Sequence, residues 1–331
     1  PLCLCVRLNW VAGFARVSIQ DKEESMLTKP LKGVVPPMVT PLLDNHTLDA
    51  KGLERLVEHI LSGHVHGLFL LGTTGEAPDL SYELRHELVQ RVCGQVGGRV
   101  PVMVGITDTV FSESVRLAES AARAGAEGVV AAPPYYFTPG QPELVEYYMH
   151  LANSLPLPLF LYNMPSHTKV MIDPYTVRAL AENGNIVGLK DSSANIVYFN
   201  TVRHLLRERT DFSILMGPEE ALGEVVLMGG HGGVCGGANL FPALFVETYD
   251  AAVAGDVGRV RELQERIMKV SGALYGVGRH VSSFLKGVKC SLDLMGICND
   301  FMAEPFSRFR EEERSIIRSR LLALGANVVK E

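Results

Sequence analysis

Ile186-Val187-Gly188-Leu189-Lys190-Asp191-Ser192 is the stretch on which the fold turns. Its first four residues are apolar or small, without the polar alternation of a strand that has one wet face. A strand covered on both sides has this composition, and parallel sheets flanked by helices cover both sides. Runs of the same kind recur upstream at 157–163, 128–134, 100–106, 67–73 and 34–40, and downstream at 213–219 and 233–239. Between the runs, apolar residues fall at helical spacing: Leu53, Leu56, Val57 and Ile60, then Leu84, Leu88 and Val92, then Val115, Ala118, Ala122 and Gly125. Asp173-Pro174 supplies a capping carboxylate and a proline at a first helical position, and Phe241-Pro242 marks another start. Eight strand–helix units in about 210 residues predict an α/β protein, a (β/α)8 TIM barrel. A doubly wound open sheet would need a glycine-rich phosphate turn after its first strand, and 34–41 has none.

The barrel is expected over residues 30–254. Residues 255–331 keep helical periodicity without a strand-like run and predict a three-helix C-terminal appendage. Residues 1–25 are set apart as a leader or unstructured extension: Arg7 and Arg16 break an apolar stretch that has no acid before Asp21, and Met26 is a candidate natural start. The 331 residues are 47% hydrophobic and 21% charged, which is ordinary for a globular chain. A net charge of -6 and no basic run with interleaved aromatics argue against a nucleic-acid partner. No apolar stretch approaches the roughly 20 residues needed to span a bilayer, so no membrane partner is expected. The six cysteines form no C-x-x-C pair and no zinc-spaced cluster, which predicts free thiols in a reducing, cytoplasmic setting and no metal.

In a barrel the chemistry sits at the C-terminal ends of the strands. Lys190 ends an apolar run there. A lysine is rarely buried without a partner, so it either snorkels to the mouth, pairs with Asp191, or serves as a nucleophilic amine. Burial favours the neutral amine, the form that attacks a ketone. Gly72-Thr73-Thr74-Gly75-Glu76 follows the second run and reads as a small-anion cradle of N–H groups and hydroxyls, or as an ordinary turn. Tyr162 closes the fifth run, and Tyr135 and Tyr136 follow the fourth; such phenols relay protons or simply pack. Glu219 and Glu220, after the seventh run, either begin a helix or bind substrate hydroxyls. Gly229-Gly230-His231-Gly232-Gly233 predicts close backbone approach, with His231 structural. A wall lysine, a carboxylate cradle and a tyrosine on one rim are what imine chemistry on a 2-oxo acid requires.

In combination these motifs resemble the dihydrodipicolinate synthase / N-acetylneuraminate lyase family from about Lys32 to the C-terminal region. They are Gly72-Thr73-Thr74-Gly75-Glu76, Tyr162-Asn163-x-Pro165 and Gly188-Leu189-Lys190-Asp191, with 28 positions from Tyr162 to Lys190. The resemblance implies Lys190 as the Schiff-base lysine and Tyr162 as the general acid/base. It places Thr73 and Thr74 around the pyruvyl carboxylate, with Gly72 and Gly75 shaping that turn and Thr73 also in the proton relay. Tyr136 matches a relay tyrosine exchanged between subunits, and Gly217 and Val234 match backbone positions lining the pocket. A homotetramer, a dimer of dimers, is implied, with no cofactor, pyruvate as one partner, and an aldehyde or 2-oxo acid as the other. One position departs: synthases carry an arginine after the Tyr-Asn-x-Pro motif, where this chain has His167. The Gly217-Pro218-Glu219-Glu220 stretch resembles the hydroxyl-binding loop of the lyases. The expectation is therefore a class I aldolase or lyase acting on a 2-keto-3-deoxy sugar acid or a sialic-acid-like substrate. The alternatives are dihydrodipicolinate synthase, a dehydratase using the same imine, and a non-catalytic 2-oxo-acid-binding protein.

Overall fold

A computed structural model of the protein describes residues 27–329; the expected leader at 1–25 lies outside the described residues. The strands are β1 (Gly33–Val34), β2 (Leu68–Leu70), β3 (Val102–Gly105), β4 (Gly128–Ala131), β5 (Leu159–Asn163), β6 (Ile186–Asp191), β7 (Ser213–Met216) and β8 (Gly232–Gly233). All run parallel, each beside its sequence neighbour, and β1 pairs with β8. A parallel bridge between Pro37 and Phe69 joins the chain beyond β1 to β2 and closes the ring. This is the expected TIM barrel. The helices between strands are α1 (Ala50–Leu61), α2 (Tyr82–Val96), α3 (Phe111–Ala124), α4 (Gln141–Ser154), α5 (Pro165–Thr168), α6 (Pro174–Leu180), α7 (Ile196–Leu205) and α8 (Leu222–Leu227), and α9 (Pro242–Val253) follows β8. Three C-terminal helices follow: α10 (Val257–Leu274), α11 (Ser283–Leu294) and α12 (Glu311–Ala323).

The apolar runs divide between two cores because strand side chains alternate sides. Phe69, Met103, Val130, Phe160, Leu215 and Val234 fill the barrel interior with Leu27 and Leu31. Leu68, Leu70, Val102, Val104, Val129 and Leu161 face the helices. Leu31 is tied to the N-terminal end of β7, its N–H donating to Ser213 Oγ at 2.8 Å. The α6 cap is as expected: Asp173 Oδ1 accepts from Tyr175 N at 2.8 Å. Pro242 opens α9, also as expected.

Two strand expectations are corrected. The run 34–40 yields only the end of β1 as a regular strand; Pro36 and Pro37 have no N–H to donate, and the chain beyond Val34 pairs with β2 only at the Pro37 bridge, where Phe69 N donates to Pro36 O and Met38 N to Phe69 O, each at 2.9 Å. The run 233–239 leaves the sheet after Gly233 and tightens into a 3-10 turn at Gly236–Asn239. There Asn239 Nδ2 donates to Pro37 O at 2.9 Å and its Oδ1 accepts from Val39 N at 3.1 Å, so a side chain ties this turn to the segment beyond β1.

Candidate active site

Lys190 and Tyr162 are register partners across β5 and β6. A bulge sets their direction. Leu159 pairs with Ile186 but Phe160 pairs with Gly188, so β6 carries one extra residue. Val187 already faces the interior; the bulge turns Gly188 inward as well, where a Cβ would stand 2.5 Å from the Phe160 ring. From there the alternation sends Leu189 out and Lys190 in. Lys190 is 6% exposed. Its Nζ lies 4.0 Å from the Tyr162 ring centroid and 4.9 Å from that of Phe69. Asp191 does not pair with it. That carboxylate, facing away, accepts from Asn163 Nδ2 at 2.9 Å and from Ser193 N and Oγ at 3.0 Å. The Tyr162 hydroxyl is 3.2 Å from Thr73 Oγ1. Burial would raise this phenol, but the Lys190 charge, then hydrogen bonds with Thr73, Lys190 and Ser192, outweigh it and hold the phenol below its ordinary value.

The turn after β2 presents Thr73 to solvent and buries Thr74. The backbone N–H groups of both threonines find no acceptor among the described residues, while Gly75 N and Glu76 N bond back to Gly72 O and Thr73 O. Two free donors side by side fit a carboxylate. Gly72 is bare because a Cβ there would meet the Phe69 ring at 2.6 Å. Glu76 faces away from the mouth. Its carboxylate accepts from Lys289 Nζ at 2.6 Å and from Ala303 N at 2.9 Å. Lys289 also donates to Thr40 O at 2.9 Å, and Thr40 Oγ1 donates to Gly75 O at 2.7 Å. The cradle is thus fastened from below to α11.

The remaining candidates are spread around the rim. Gly217 follows β7, and a Cβ on it would collide with Ser192 Oγ. Val234 follows β8 and packs in the interior. His167 is on α5, exposed, with Nδ1 3.0 Å from Ser166 Oγ. Desolvation, then the charges of Lys169 and Lys190, lower its pKa. Tyr136 is 77% exposed and packs edge-on against Phe137. His231 accepts from Ile214 N at 3.0 Å near the start of β8. Glu220 is half-buried. Glu219 is buried, and its two oxygens are taken by Gly237 N, at 2.7 Å, and the Tyr275 hydroxyl. The carboxylate read as a hydroxyl binder therefore joins the β7 rim to α10.

Residues 30–324 match the Dihydrodipicolinate synthetase family. The chain belongs to that family. It is a lyase of the class I aldolase type. A dihydrodipicolinate synthase structure from Bacteroides thetaiotaomicron is 55% identical, with a TM-score of 0.87 over 89% of this chain and 99% of that one. A probable 2-dehydro-3-deoxy-D-pentonate aldolase of Escherichia coli is 32% identical over 90% of this chain and 98% of its own. YagE of E. coli K12, a family member solved in complex with pyruvate, is 28% identical, with a TM-score of 0.84 over 89% of this chain and 99% of its own.

Within this family member, sequence reasoning missed Ser192, Thr40 and Lys289. Ser192 had a signal, its place two residues after Lys190. Lys289 had none, since its partner Glu76 is 213 residues away. Among the described residues no helix is long and apolar enough to cross a membrane.

Burial raises the Glu219 carboxyl to about 7, against the pull of Tyr275 and Gly237. A carboxyl raised in the fold makes the folded state less stable as pH climbs from about 4.5 to about 7. Urea unfolding should therefore show up to about 3 kcal/mol lost from this group between pH 4.5 and pH 8. In Glu219→Gln the difference between the two pH values should shrink. An unchanged pH slope in the variant removes the assignment.

Proposed function

We propose that this protein cleaves a hydroxylated 2-oxo acid, a 2-keto-3-deoxy sugar acid or a sialic-acid-like compound, to pyruvate and an aldehyde. The Lys190 amine adds to the C2 carbonyl, whose oxygen leaves as water, giving a protonated imine. A base takes the C4 hydroxyl proton, and the C3–C4 bond breaks. Its electron pair enters the enamine and neutralises the imine nitrogen. The aldehyde departs, C3 is reprotonated, and water releases pyruvate. Tyr162, hydrogen-bonded to Thr73, is the acid/base nearest the amine. Thr73 and Thr74, on the turn between Gly72 and Gly75, would receive the carboxylate. Gly217 and Val234 would line the wall, with Glu220 the rim acid left for substrate hydroxyls. The reading also places the enzyme in a reducing, cytoplasmic setting; four cysteines, Cys93, Cys235, Cys290 and Cys298, are free and buried.

The observation that carries the choice of substrate is His167. A second carboxylate, as in aspartate semialdehyde, needs a cation, and an imidazole with a lowered pKa is neutral at pH 7. A bidentate guanidinium–carboxylate contact is missing, worth more than about tenfold in binding. Condensation of pyruvate with aspartate semialdehyde is the second reading, favoured by the 55% identity to the B. thetaiotaomicron synthase. A panel of 2-oxo acids scored for pyruvate release, beside a synthase assay, separates them. His167→Arg is expected to raise synthase activity at least about tenfold and depress sugar-acid cleavage. Efficient condensation by the unaltered protein at neutral pH sinks the aldolase reading.

Tyr136, with Phe137 beside it at 83% exposure, suits a contact with a neighbouring subunit rather than with water. A dimer of dimers that lends Tyr136 to the neighbour's proton relay is the proposed assembly. Light scattering at assay concentration should give at least a dimer, and a fully active monomer contradicts it.

A further inference from the structure

At the opposite end of the barrel from Lys190 lies a concavity of about 260 Å³. Lys32 and His231 reach it from just before β1 and β8, and Phe212 and Ile214 from the start of β7, so it belongs to the N-terminal ends of the strands. Arg203, on α7, and Arg207 and Arg209, just beyond it, complete the lining with Gly229. The charge is one-sided. Arg209 holds Asp211 at 2.9 Å and Arg207 holds Glu208 at 3.3 Å, both at the surface. Lys32 and Arg203 have no ion pair among the described residues.

Arg203 is the informative residue. Its Nε, like Asn200 Oδ1 three residues earlier on α7, is closed off from solvent without a hydrogen-bond partner, so the Nη groups are what it can offer a ligand. Its head is at the pocket wall: a Cβ on Gly229 would stand 3.4 Å from Nη1. His231 also lines the concavity. Its Nδ1 accepts from Ile214 N at 3.0 Å, so the ring proton is on Nε2.

We infer that this concavity binds a small oxyanion of the phosphate class. A planar guanidinium fork matches the edge of a tetrahedral oxyanion, and the Lys32 ammonium and the His231 N–H supply further donors. The volume is below that of pockets for drug-sized ligands, so it suits a small anion and not a nucleotide. Bound there, the anion would link the segment before β1 to α7, the helix that follows the Lys190 strand.

The test is calorimetric titration of the full chain with inorganic phosphate at low ionic strength, with and without saturating pyruvate. Saturable binding that pyruvate does not displace is expected, weakened about tenfold or more in Arg203→Gln and several-fold in the exposed Lys32→Gln. Arg116→Gln, on the far side at α3, should bind as the parent does. Melting without phosphate checks that each variant is folded; should Arg203→Gln fail to fold, the Lys32 variant decides. Absence of saturable heat, displacement by pyruvate, or equal binding in folded Arg203→Gln or Lys32→Gln overturns the proposal.

Discussion

Lys190→Arg is expected to fold normally, form no pyruvate adduct and lose on the order of 10³-fold or more in turnover. The substitution keeps a positive charge over the Tyr162 and Phe69 rings, 4.0 and 4.9 Å from Nζ in the parent. It also keeps the hydrogen-bonding demand of the site, so the interior has little reason to collapse. What it removes is nucleophilicity, because a guanidinium does not give up its proton in a protein. Borohydride added to the parent with pyruvate should reduce the imine to a secondary amine, fixed to the peptide that contains Lys190. The variant should show no such mass. Labelling of another lysine in the parent, or an intact adduct in the variant, would remove the imine at Lys190. Loss of the adduct with a lowered melting temperature would reflect misfolding, which circular dichroism separates.

Lys289→Met carries the largest expected effect on stability. The Lys289–Glu76 pair is 2.6 Å long, and both side chains are essentially inaccessible, at 0% and 1%. Methionine matches the lysine stem in volume, so packing is nearly preserved. The loss falls on Glu76, whose carboxylate keeps only Ala303 N, and on Thr40 O, which loses its donor. Breaking a buried pair from one side costs about 3–5 kcal/mol, a large share of a domain's stability. Burial already raises the Glu76 carboxyl against the pull of Lys289, and without Lys289 it should rise further and take up a proton. Because Thr40 Oγ1 also holds Gly75 O, the Thr73–Thr74 turn should loosen and the KM for pyruvate should rise. Adding Glu76→Gln should recover part of the stability, since the orphaned charge is gone. Urea unfolding of both variants checks this. A single variant as stable as the parent would show that the pair contributes nothing net.

The sequence by itself determined the barrel. Eight runs apolar on both faces, separated by helices with readable starts such as Asp173-Pro174, admit few other architectures, because burial and backbone capping are local patterns. It also singled out Lys190, since an ammonium in an apolar strand end is anomalous wherever the strand goes. It did not determine which way that lysine points. Counted from Val187 by strict alternation, Lys190 would face the helices; the bulge opposite Phe160 turns it into the barrel, and a bulge is a property of two paired strands. Glu219 read as a helix-starting or hydroxyl-binding acid, and Glu76 only closed the cradle motif. Tertiary structure sent both carboxylates inward, to Lys289 and to Tyr275, because a buried acid takes whatever donor the fold brings within reach. Those partners lie 213 and 56 positions along the chain, beyond any local pattern. Spacing along one chain records which side chains share a face of one element, whereas the partner of a buried charge is set only when separate elements pack.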